Sequence, residues 1–143
     1  MKYVLDTNIY LGGAASEERA ARFRETFFPL LPSTFLSAVV AYELAVNARG
    51  RDTRDLVGAF VAPMRRTGRV VNPTFDDWLE ASEVITKIGD REPAWRSKLP
   101  ALLNDVLIAL TARQIGATVI TANHADFRLI RRHVPFLLRP VDE

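Results

Sequence analysis

Short apolar runs separated by longer amphipathic stretches set the plan of this chain. Tyr3-Val4-Leu5 is apolar without alternation, as in a parallel strand buried on both faces, and Asp6-Thr7-Asn8 follows it at once. Thr34-Phe35-Leu36-Ser37, Arg69 to Asn72, Thr118 to Thr121 and Phe136-Leu137-Leu138 read as further short strands. Helical spacing predicts helices from Ser16 to Phe28, closed by Pro29 and Pro32, and from Ala38 to Ala48, stopped near Gly50. Others are predicted from Thr53 to Arg66, bent or ended by Pro63, from Phe75 to Ile88, from Leu99 to Gly116 and from Asn123 to Arg132. Leu11-Gly12-Gly13 reads as a break after the first turn, and Gly89 to Lys98 as a polar loop. Strands alternating with helices predict an α/β fold, a parallel sheet covered on both sides.

The 143 residues fit one domain, 1–143, with a single core. There is no cysteine, which excludes disulfides, zinc-thiolate sites and cysteine nucleophiles. No stretch approaches the length of a membrane span, and Met1-Lys2-Tyr3 enters a strand directly, so the expected location is cytoplasmic. The formal charge of +2 is uninformative until the basic residues are separated by type: three of the 19 are Lys and the other 16 are Arg, whose forked donors suit phosphate. Arg19, Arg22 and Arg24; Arg49, Arg51 and Arg54; Arg65, Arg66 and Arg69; and Arg128, Arg131 and Arg132 form clusters that permit a nucleic-acid partner without requiring one.

Four carboxylates stand where a charge is costly. Asp6 follows a buried strand, at the edge where open α/β sheets gather their chemistry, although the same position suits a helix cap. Asp105 lies in Leu102-Leu103-Asn104-Asp105-Val106-Leu107-Ile108, a helix apolar nearly all round, so it must be neutralised, paired with an Arg or bound to metal. Glu43 sits in Val39-Val40-Ala41-Tyr42-Glu43-Leu44 on the side expected to face the sheet, with Asn47 four residues on to orient it; a partly exposed Glu near a helix start is the alternative. Asp126, in Thr121-Ala122-Asn123-His124-Ala125-Asp126-Phe127, leaves a strand on the same edge and also suits a cap. Carboxylates gathered at one edge need a counter-charge. A hard cation with oxygen ligands, Mg²⁺ or Mn²⁺, fits better than zinc, because His124 and His133 lack paired zinc spacing. Setting these four of the 17 acids aside leaves 13 against 19 basic residues, a basic surface around an acidic centre, as phosphodiester hydrolysis requires. Other phosphate chemistries lack their residues: a phosphoaspartate hydrolase would want Asp where Asn8 stands, and there is neither a phosphate-binding Gly-x-x-x-x-Gly-Lys loop nor Gly-x-Gly-x-x-Gly.

Asp6-Thr7-Asn8 after the first strand, Glu43 in its Val-Val-Ala-Tyr-Glu-Leu helix, Asn104-Asp105 and Thr121-x-Asn123-x-x-Asp126-Phe127 together resemble PIN-domain nucleases, most closely the VapC-type toxins of prokaryotic toxin–antitoxin pairs. The resemblance runs from Lys2 to Leu138. It implies a five-stranded parallel sheet, a Mg²⁺- or Mn²⁺-dependent ribonuclease, a homodimer and inhibition by a VapB-type antitoxin. It also implies that Asp6, Glu43 and Asp105 form an acidic triad with Asp126 as a fourth acid, that Thr121 and Asn123 are polar neighbours and that Asn8 steadies the first turn. A non-toxin RNA-processing nuclease, or a non-catalytic RNA-binding protein of the same fold, would share the pattern. Phe23, Phe27 and Phe28, with Leu30 and Leu31 after them, exceed what one short helix readily buries, which fits a groove for an antitoxin helix as well as core packing.

Overall fold

A computed structural model describes residues 1–47 and 49–142; the side chains of Asp52, Thr53 and Leu56 lie outside that description. Five strands form one parallel sheet in the order β3-β2-β1-β4-β5: β1 (Tyr3–Leu5), β2 (Thr34–Ser37), β3 (Val70–Val71), β4 (Thr118–Thr121) and β5 (Leu137–Pro140). The strand nearest the N-terminus is therefore central. Tyr3 and Val4 pair with Thr34 and Phe35 on one side, and Tyr3, Val4 and Leu5 with Thr118, Val119 and Ile120 on the other. Val4 and Leu5 are buried, as an unalternating apolar strand between two neighbours must be.

Among the described residues seven α-helices pack around the sheet: α1 (Thr7–Gly13), α2 (Glu17–Thr26), α3 (Ala38–Val46), α4 (Arg51–Arg66), α5 (Phe75–Arg91), α6 (Leu99–Gln114) and α7 (His124–Arg131). The predicted helix over Ala38 to Ala48 is seen to Val46, and Ala48 lies outside the described residues. The sequence offers the first helix only through the cap reading of Asp6, because Gly12-Gly13 reads as a break. Asp6 caps it by accepting from the Thr7 amide at 2.8 Å, and its Ile9 and Tyr10 are buried. Gly13 ends it because α2 presses there: a Cβ at Gly13 would stand 2.9 Å from the Phe23 ring. The expected polar loop from Gly89 to Lys98 is ordered. A capping box of Thr74 and Asp77 starts α5, the helix continues to Arg91, and a 3-10 turn spans Pro93–Lys98.

Helix α6 crosses beneath β1, β2 and β4 and lies antiparallel to α5, with Arg113 near its end paired to Glu80 near the start of α5. Leu102 and the run from Val106 to Leu110 are buried almost completely. Gly116, at φ +67°, then reverses the chain and lets the Ala117 amide reach the Ala112 carbonyl at 2.9 Å. Phe23 is also core, packed against Tyr10 and Phe60. Arg69 is not part of a solvated cluster: its guanidinium donates to the carbonyls of Leu31 and of Thr34, the latter at 2.9 Å, and ties β3 to the turn before β2. Among the described residues no helix is long and apolar enough to cross a membrane.

Candidate functional site

The carboxyl ends of β1 and β4 lie side by side because the Asp6 amide continues their ladder, donating to the Ile120 carbonyl at 2.9 Å. This fixes Asp6 beside Thr121, whose hydroxyl donates to Asp6 Oδ2 at 2.7 Å. The Thr7 amide donates to Oδ1 at 2.8 Å and the Asn8 side-chain amide to Oδ2 at 3.1 Å. Asn8 also accepts from the Ala122 amide at 3.3 Å, so it joins the two strand ends. Asp6 is 4% exposed, and both of its carboxylate oxygens accept hydrogen bonds. The capping reading holds for it, and the same carboxylate lies within electrostatic reach of Glu43 and Asp105.

Glu43 enters from α3. Its Oε1 accepts from the Thr7 hydroxyl at 2.7 Å, and its Oε2 from the Asn104 amide of α6 at 3.5 Å. Asn47 does not orient it, contrary to the sequence reading. The Asn47 amide folds back to the Glu43 main-chain carbonyl at 2.8 Å, because a short side chain four residues on in a helix meets that carbonyl before it meets a longer side chain. Thr7 is the residue that sequence reasoning missed; Glu43 lies 36 positions away, where no local spacing gives a signal.

Asp105 projects from the buried middle of α6 and is 9% exposed. Burial pushes its pKa up to about 9, followed by the charges of Asp6, Asp126 and Glu43 and by a hydrogen bond to Asp126. Asp126 stands in the first turn of α7, not at the cap position that Asn123 occupies, and accepts from the Asn123 amide at 2.9 Å. For Asp6, burial is again the largest influence and the Glu43 charge adds to it, while the hydroxyl of Thr121 and the donors of Thr7 and Asn8 oppose them; the pKa rises to about 6. Among the described residues no ion pair involves any of the four acids, so an Arg partner for Asp105 is not what balances it.

The donor set tests whether a divalent cation fits. All the groups are hard oxygens, Asp6 and Asp105 are raised in pKa by burial and then by neighbouring acids, and among the described residues no ion pair neutralises them. That suits a hard divalent cation. Among the described residues, no three His, Asp or Glu side chains already stand as a closed ligand cluster. The four acids are electrostatic neighbours, the charges of Asp6, Asp126 and Glu43 all acting on Asp105.

A parallel five-stranded sheet with acids collected beyond the ends of its central strands defines a carboxylate-centred α/β domain. The PIN domain family model matches residues 3–132, and the chain belongs to that family. Three crystal structures share its fold. A chain of VapBC2 from Rickettsia felis, bound to a DNA fragment from their promoter, is 18% identical over 99% of this chain and 100% of that one, with a TM-score of 0.64. DNA-bound VapBC from Salmonella typhimurium is 17% identical over 98% of each chain, with a TM-score of 0.60. VapBC-1 from nontypeable Haemophilus influenzae is 23% identical over 98% of each, with a TM-score of 0.57. No curated protein matches the sequence significantly.

Proposed function

We propose that the protein is a Mg²⁺- or Mn²⁺-dependent endoribonuclease that hydrolyses RNA phosphodiester bonds and serves as the VapC-like toxin of a type II toxin–antitoxin pair. The observation that carries this reading is the mutual charge of Asp105 with Asp6, Asp126 and Glu43 at one sheet edge without a cationic partner among the described residues. Asp6 and Asp105 hold the ion, and Glu43 and Asp126 complete its surroundings or orient water. When bound there, the ion supplies Lewis-acid stabilisation to the charge that develops on phosphate. Thr121, Asn8 and the Thr7 amide fix the direction of Asp6, and Thr7 and Asn104 that of Glu43, so these two acids are oriented before an ion binds. Cleavage of RNA by the pure protein, stopped by EDTA and restored by Mg²⁺ or Mn²⁺, is the expected result. RNA binding without cleavage under those conditions would instead identify a non-catalytic PIN-domain protein, and cleavage with no neighbouring antitoxin gene would identify an RNA-processing nuclease.

A VapB-type antitoxin belongs to the same reading. A pocket between α1, α2 and the end of the chain is lined by Ile9, Phe23, Phe27 and Val141 and flanked by Arg19 and Arg22. Phe27 is half-buried there, while Phe28 is 46% exposed and meets Phe23 edge-on. An apolar helix stripe would fill this pocket beside the carboxylates. Exchange of Phe27 and Phe28 for Ser is expected to leave a folded nuclease that binds its antitoxin about ten- to a hundredfold more weakly, as loss of an aromatic anchor does. An unfolded variant would place both rings in the core.

The homodimer has a suitable face elsewhere. Tyr42, Val46, Phe75, Trp78 and Leu79 are each at least half exposed, and Tyr42 of α3 and Trp78 of α5 line one cleft. So much apolar surface on adjacent helices suits a second copy of the chain. Exchange of Phe75 and Trp78 for Glu is expected to convert a dimer to a monomer in light scattering. A wild-type monomer, or a variant that stays dimeric, would remove this face from the proposal.

A further inference from the structure

Positive charge concentrates at a corner that the carboxylate site does not use. Arg91 closes α5, and Lys87 stands one turn before it on the same side. Arg132 caps the C-terminal end of α7, and His133 follows. The two helix ends meet, since Arg132 Nη1 lies 3.7 Å from the Glu92 carboxylate just beyond α5. Arg96 adds another guanidinium over the same end, its Nε donating to the Gly89 carbonyl at 2.9 Å. His133 registers the result: burial first, then Arg91 and Lys87, hold its pKa below 6.5, with Arg132 adding to them and Glu92 opposing.

Helix dipoles favour one cation at each C-terminal end, which accounts for Arg91 and Arg132 singly. They do not account for the convergence of two helix ends, nor for Lys87, which lies before the last turn of α5. Lys87, Arg91, Arg96 and Arg132 are all exposed, so water screens their repulsion without removing it. A polyanion lying across them would remove it. Arg forks and a neighbouring Lys are the donors that phosphate oxygens accept from. The corner is also tied to the acidic site by a rigid element: α7 carries Asp126 in its first turn and Arg132 six residues later, about 9 Å along the helix axis.

We propose that this corner is a second contact surface for the RNA, holding backbone phosphates a short way from the bond at the carboxylates. It rests on the nuclease reading above. A strand that reaches both ends of α7 would be anchored at the corner while the reacting phosphate sits among the acids. Short RNA that fills only the acidic site would gain nothing from it.

The test compares the wild type with a triple variant, Lys87→Gln, Arg91→Gln and Arg132→Gln, on a dinucleotide, whose single phosphodiester fills only the acidic site, and on a single-stranded RNA of about twelve nucleotides. For the longer RNA the slope of log affinity against log salt is expected to fall by about 2, at roughly 0.7 per lost phosphate contact. Cleavage of the shorter RNA should be unchanged. Glu92→Gln, which removes the opposing acid, should act in the reverse sense and steepen the slope. An unchanged slope in both variants overturns the proposal, as does equal weakening toward the short and long RNAs. So does loss of affinity for an acidic polypeptide with RNA binding intact, which would assign the corner to a protein partner. Failure of the wild type to cut either RNA would instead count against the nuclease reading, and circular dichroism separates misfolding from both.

Discussion

Exchange of Asp105 for Asn is expected to lower RNA cleavage by about a thousandfold while making the metal-free protein more stable. The first half follows from the role proposed for Asp105. An ion supplies several kcal/mol of transition-state stabilisation, and each ~1.4 kcal/mol lost is about tenfold in rate. The second half follows from its surroundings. The Asp105 carboxyl, 9% exposed, is pushed up to about 9 by burial and by Asp6, Asp126 and Glu43. At neutral pH the folded state must therefore hold a proton that the unfolded chain releases. Asn removes that cost and keeps the shape, so a gain on the order of 2 kcal/mol is expected in metal-free buffer. Kinetics and denaturant melts on one preparation check both halves. A structural carboxylate would give the opposite stability change, and full activity in the variant would remove Asp105 from the site.

Metal and pH should act on stability in opposite directions. Asp6 and Asp105 have folded-state pKa values of about 6 and about 9, against 3.8 for an unburied Asp. For an acid raised in this way, the folded state binds more protons than the unfolded one between the two values. Stability is then fullest near pH 4 and falls as pH rises, through about 6 for Asp6 and toward about 9 for Asp105. Without divalent ions the melting temperature should drop between about pH 5 and pH 8. Mg²⁺ or Mn²⁺ at about a hundred times its dissociation constant should restore about 2.7 kcal/mol, a rise of roughly 5 to 10 °C for a chain of this length. The ion's effect should also grow with pH, because it displaces the proton held by the acids. A melting temperature indifferent to millimolar Mn²⁺ at pH 8 would show that these carboxylates do not form an ion site.

The parts that were legible in the sequence are those with a local physical signature. Asp105 stood out because a charge in an all-apolar helix has a cost that something must offset, and Asp6 because it ends an apolar strand. The alternation of strands and helices predicted the parallel sheet, and five short apolar runs marked its five strands. Helix α1 was hidden because Gly12-Gly13 reads as a break, whereas Gly13 is where α2 comes too close for a Cβ. The support of Glu43 was misassigned to Asn47 because helical spacing finds neighbours within a helix and cannot find Thr7, whose approach depends on the adjacency of β1 and β2. Arg69 looked like one more surface cation, although two main-chain carbonyls occupy it. Such contacts arise from topology, which leaves no periodic trace.

The central place of β1 also sets an order of events during synthesis. Its partner β4 comes more than a hundred residues later, and the acids of α6 and α7 flank β4 in the chain. Pairings so distant in sequence form late, since the intervening chain must first exist and then close. Asp6 is made about a hundred residues before Asp105 and Asp126, so over that stretch a nascent chain carries the first acid with no site around it. Products truncated before β4 should be inert. The carboxylate site is therefore assembled late, only once β4 and α7 have joined the sheet beside β1.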